Sequence, residues 1–99
     1  MRKIKKMVDR IDEEVEDARE YAECYVEEKA KGNQSSANMY KEMASDELKH
    51  AMFLHEMAVA DIKEISKVYK PPVEMETAWE TAHKKYVERV AWVKQMLAM

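Results

Sequence analysis

One glycine, Gly32, and one proline pair, Pro71-Pro72, are the only strong helix breakers in this chain of 99 residues. Between them the sequence is rich in Glu, Lys, Ala and Met, residues that lose little conformational freedom in a helix. A sheet would need turn residues every few positions, and they are missing. The chain therefore reads as all-α: a long antiparallel helix hairpin over residues 1–70 and a C-terminal helix over residues 71–99.

Apolar periodicity places the helices. Ile4, Met7, Val8, Ile11, Val15, Ala18, Ala22, Tyr25 and Val26 recur at threes and fours and predict a first helix from about Ile4 to Lys31. Gly32 can close it in a left-handed conformation, and Asn33, Ser35 or Ser36 can cap the next. A second helix is predicted from Ser35 to about Tyr69, with Tyr40, Ala44, Ala51, Leu54, Ala58, Ile62 and Ile65 on one stripe. Pro71-Pro72 ends it, because the residue before proline resists helical geometry. A third helix follows from Val73 to Leu97, with Met75, Trp79, Ala82, Tyr86, Arg89, Val93 and Met96 as a coiled-coil-like seam. It packs on the hairpin or on a partner subunit.

Composition narrows the function classes. The net charge of −3 gives no general attraction to nucleic acid, and the only basic block is Arg2 to Lys6. No apolar run is long enough for a transmembrane helix, and the N-terminus lacks the apolar core of a signal peptide. The single cysteine, Cys24, excludes an internal disulfide. The expectation is a cytoplasmic protein that contacts neither membrane nor nucleic acid.

Glu47 breaks the pattern. It lies inside the apolar stripe of the second helix, where a carboxylate is costly unless paired. His50 follows three residues later, and Glu-x-x-His on one helix face lets both side chains reach one metal ion. On the first helix Glu14 borders the buried arc, whereas Asp12, Glu13, Glu16, Glu20 and Glu23 are expected to point away from it. Folding the hairpin at Gly32 brings Glu14 and Glu47 to about the same depth, so phase and depth select the same pair. A second Glu-x-x-His, Glu80 to His83, has Glu80 on the solvent side and reads as a chance match among 15 glutamates.

His55, on the other flank of the stripe, reads as a hydrogen-bonded core or interface histidine. Tyr21, Tyr25 and Tyr40 border the Glu14–Glu47 level. The methionines read as core filler or interface. Without a metal, Arg89 in the third-helix seam is the natural partner for a buried Glu47.

Di-iron carboxylate bundles take one Glu from each of two helices and a Glu-x-x-His from each of the other two. Glu14, Glu47 and His50 make half of that set. A two-fold related copy supplies the other half, and a hairpin with an exposed apolar stripe has its own reason to dimerise.

At these residues the chain resembles the ferritin-like superfamily, specifically rubrerythrin and the single-hairpin ferritins that dimerise. The resemblance rests on Glu14 with Tyr21 seven residues on, the Gly32 turn, and the stretch Ser45-Asp46-Glu47-Leu48-Lys49-His50. It implies a hairpin that dimerises into a ferritin-like four-helix bundle or a larger homo-oligomer. It also implies Glu14, Glu47 and His50 as iron ligands, with two ions per dimer; manganese or zinc are the alternative ions. The implied activity is ferroxidase-type oxidation of Fe(II) by dioxygen or peroxide, with no catalytic residues beyond the ligands. Because the chain has no rubredoxin-type Cys-x-x-Cys pairs, peroxide reduction would need an external reductant. The competing expectation is a metal-free helical adaptor or scaffold that binds a protein partner.

Overall fold

The computed structural model describes residues 2–99 and consists of α1 (Arg2–Ala30), α2 (Gln34–Val68) and α3 (Val73–Leu97), with no strand among the described residues. The three helices begin and end within two residues of the positions expected from the punctuation. The 35 residues of α2 extend about 52 Å at 1.5 Å per residue. The molecule measures 55 × 17 × 17 Å, so α2 sets its long axis. No helix among the described residues is long and apolar enough to cross a membrane.

The hairpin turn is built on Gly32. Its φ of 80° lies in the left-handed region, where a Cβ would be strained. The Gly32 amide donates to the Lys29 carbonyl at 3.0 Å and the Asn33 amide to the Glu28 carbonyl at 2.9 Å. These two bonds form a Schellman closure and satisfy the last carbonyls of α1. Asn33 precedes α2, yet its side chain makes no cap; its amide nitrogen donates to Glu28 at 2.7 Å. At the second boundary Tyr69 turns to extended geometry, and the Pro72 carbonyl accepts from the amides of Met75 and Glu76 to start α3. Glu74 and Glu76 in the first turn of α3 suit the positive end of its dipole.

The α1–α2 seam explains the closeness of the hairpin. Ala37, Ala44, Ala51 and Ala58, seven residues apart, are all fully buried. Their small side chains leave room for Ile11, Val15 and Tyr25 of α1. Helix α3 docks chiefly on α1 and runs parallel to it. Its Tyr86 and Val90 meet Ile11 and Val15, and its Val93 and Leu97 join Ala18, Ala22 and Tyr25 nearer the turn. Between α2 and α3 an open groove of about 520 Å³ remains, lined by Leu48, Met52, Tyr86 and Val90 among others.

Arg89 does not reach Glu47. Its Nη2 donates to Glu16 at 2.7 Å, and its Nη1 lies 3.6 Å from Asp12. Lys85 approaches the same Asp12 at 3.9 Å. Asp12 and Glu16 do leave the α1–α2 seam, as their phase requires, but they turn toward α3 rather than to open solvent. The guanidinium, with Arg19, holds the Glu16 carboxyl below the usual carboxylate range, Arg19 contributing most through a direct hydrogen bond.

Candidate metal centre

On the side of the hairpin away from α3, the heptad slot beside the buried alanines is filled in turn by Tyr40, Glu47, Leu54 and Asp61. Glu47 thus takes a position that Tyr40 and Leu54 use for packing, and Asp61, the other carboxylate in the slot, lies 3.3 Å from Lys3. Across the seam α1 presents Glu14, and one turn further along α2 His50 closes the group. One ligand atom from each of Glu14, Glu47 and His50 lies within 4.8 Å of the others, the one metal-sized cluster of three such residues among those described. His50 Nδ1 stands 3.6 Å from Glu14 Oε2 and 3.9 Å from Glu47 Oε1.

The electrostatics follow from this crowding. The side chains of Glu14 and Glu47 are only 14% and 22% exposed, while that of His50 is 54% exposed. Two carboxylates this close cannot both remain ionised without cost. A shared hydrogen bond with Glu14, then burial, then the Glu14 charge push the Glu47 carboxyl up to about 7, against a smaller opposing pull from His50. Arg10 lies 3.7 Å from the outer oxygen of Glu14 and offsets part of the negative charge. No lysine or arginine pairs with Glu47 among the described residues.

The donor set suits a hard-to-borderline divalent ion: carboxylate oxygens that can bridge and an imidazole that fixes one ion. Its two carboxylates and one histidine match one half of a di-iron carboxylate site. The half-exposed His50 belongs to an outward stripe of α2 that continues through Met39, Met43, Phe53 and Met57, each between 38% and 64% exposed. The ligand cluster therefore borders an uncovered apolar face.

A sequence model of the rubrerythrin family matches residues 7–97, nearly the whole chain and all three helices. The chain belongs to the rubrerythrin family. Membership agrees with the ferritin-like resemblance of the sequence. No match was found among curated proteins or among solved structures.

Of the other residues singled out in the sequence, Tyr25 is buried, with Lys29 and Lys41 over its ring, and Tyr21 lies 6.4 Å from Tyr40 ring to ring. None of the three tyrosines hydrogen-bonds to the ligand cluster. Glu80 is exposed, in keeping with its phase. His55 is an interface histidine bonded to His83 across α2 and α3, a pairing that periodicity within single helices does not reveal.

Proposed function

We propose that this rubrerythrin-family protein binds iron through Glu14, Glu47 and His50, and that a two-fold related copy completes a di-iron centre which oxidises Fe(II). The observation that carries the reading is the convergence of these three side chains at an uncovered apolar face. The chain holds two carboxylates and one imidazole; a second copy seated on that face would double the set to the four carboxylates and two imidazoles of a di-iron site. The bound ions supply one-electron chemistry toward dioxygen or peroxide.

The residues prepare the site in definite ways. Glu47, aimed at the seam, is suited to bridge, Glu14 to bind terminally, and His50 to fix one ion per subunit. The Glu47 carboxyl, pushed up by its surroundings, must give up its proton when the site is loaded, so occupancy is linked to pH. Arg10 can retain Glu14 in position through its outer oxygen. Peroxide reduction is the nearest variant and requires an external reductant.

The metal-free adaptor reading requires Glu47 to be held by Arg89 or another cation. Arg89 is engaged by Glu16 and Asp12 instead, which removes that support. Anaerobic Fe(II) titration followed by air, with the oligomer sized alongside, separates the two. The expected result is saturation near one iron per chain in a dimer or larger assembly, with oxidation abolished by Glu47→Ala. Iron binding indifferent to Glu47→Ala would overturn the proposal.

A further inference from the structure

The groove between α2 and α3 lies on the α3 side of the hairpin, away from Glu14 and Glu47, and takes no part in the metal centre. It exists because α3 docks chiefly on α1, so that α2 and α3 face each other across an open trough of about 520 Å³. Lys41, Ser45, Leu48 and Met52 form the α2 wall, at steps of four, three and four. Tyr86, Val90, Lys94 and Leu97 form the α3 wall, at steps of four, four and three. Each wall therefore covers roughly three turns and 16 Å of helix axis. Two walls at helical spacing with an apolar floor between them are shaped to receive the side-chain ridge of a further helix.

The rims carry one sign of charge. Lys41, Lys49 and Lys94 line the groove and are exposed, and no carboxylate lines it. Lys3, Lys67 and Lys85 each meet an acid elsewhere on the surface, whereas no acid pairs with the three groove lysines among the described residues. In a chain of net charge −3 this is a local reversal of sign. Lys41 and Lys49 are separated by about 12 Å along α2, further than one carboxylate head group reaches. The rims thus suit acids spread along an extended occupant, and the floor suits an apolar ridge between them. We propose that the α2–α3 groove docks an acidic amphipathic helix of a protein partner. Its apolar ridge lies on Leu48, Met52 and Val90, and its flanking carboxylates meet the three lysines. Burial of the floor supplies the affinity, and the lysines select an acidic partner and speed its approach.

The probe is a synthetic, fluorescently labelled peptide of about 18 residues, long enough to form a helix, with Leu at helical spacing on one face and Glu on both flanks. Titrated with the full chain, it should bind saturably at one peptide per chain, gain helicity, and bind more weakly as salt rises. A peptide of the same composition with its leucines scattered should not bind. Met52→Glu, at a position 43% exposed, should lower the affinity about tenfold, and so should Lys41→Glu combined with Lys94→Glu. The charge-reversed variant should in turn prefer a peptide with Lys in place of Glu, a swap that a merely unfolded variant cannot give. Binding indifferent to Met52→Glu or to charge reversal, or absent from the parent, overturns the proposal. So does a change in oligomer mass on Met52→Glu, which would mean that a second copy fills the groove.

Discussion

Replacing Glu47 by glutamine should make the metal-free protein more stable while removing its metal site. The carboxyl is pushed from 4.5 to about 7 mainly by the hydrogen bond it shares with Glu14. A folded-state value above the unfolded one means that the native chain holds the extra proton. This stabilisation is therefore complete below about pH 4.5 and is lost as pH rises through about 7. Fully realised, a change of this size corresponds to roughly 3 kcal/mol. Glu47 remains 22% exposed at the edge of the seam, so solvent screening should leave on the order of 1–2 kcal/mol. The amide of the Glu47→Gln variant would donate to Glu14 at every pH and so keep the favourable state. At about pH 8 the variant should melt roughly 4–15 °C above the parent, and at about pH 5 the difference should shrink toward zero. Thermal melts followed by circular dichroism at equal protein concentration supply the comparison. Fe(II) in hundredfold excess over its dissociation constant should raise the parent by about 2.7 kcal/mol and leave the variant unmoved. A variant less stable than the parent at about pH 8, or an advantage independent of pH, would refute the shared-proton account.

Two further substitutions test the surrounding fold. Ala51→Leu places a larger side chain in the fully buried contact with Ile11 and Val15; overpacking should cost about 1–3 kcal/mol in denaturant melts. Because Ala51 follows His50, spreading the helices there should also weaken iron binding by separating Glu14 from Glu47. Arg89→Met removes the partner of Glu16 and Asp12 at a position 25% exposed. The expected loss is about 0.5–1 kcal/mol, reduced at high salt, with iron stoichiometry unchanged. A loss of iron binding there would mean that Arg89 serves the cluster after all.

The parts of this structure that are legible in the sequence are those fixed along one helix or across one short turn. Gly32 and Pro71-Pro72 are the only breakers, so the helix ends have few alternatives. Glu14 and Glu47 can be matched because a tight hairpin transmits depth from one helix to the next. The capping of α2 is less legible: Asn33 has the right side chain, but the Schellman bond of its amide to Glu28 draws the side chain to the same residue. Contacts made by α3 are harder still. A helical wheel tells which face of α1 is apolar, but not that Asp12 and Glu16, one turn apart on its flank, lie at the level of Arg89. The His55–His83 contact sits at matched depths about the short connection at residues 69–72, but depth alone does not say which face of α3 turns to α2, because α3 docks chiefly on α1.

The same distinction explains where the chain tolerates its costliest group. Glu47 stands in a slot that Tyr40 and Leu54 use for packing, and the carboxylate pair, only partly compensated by Arg10 and His50, weakens the metal-free hairpin once both groups are ionised. The neighbouring seam does not depend on that slot, because the alanines at 37, 44, 51 and 58 are buried independently of it. Close α1–α2 packing thus persists on either side of the cluster and holds Glu14, Glu47 and His50 together. A cation that neutralises them would recover the free energy that their repulsion removes. Stability gained on metal loading should therefore exceed that expected from a surface carboxylate cluster. It should also be greatest above pH 7, where the shared proton has already left.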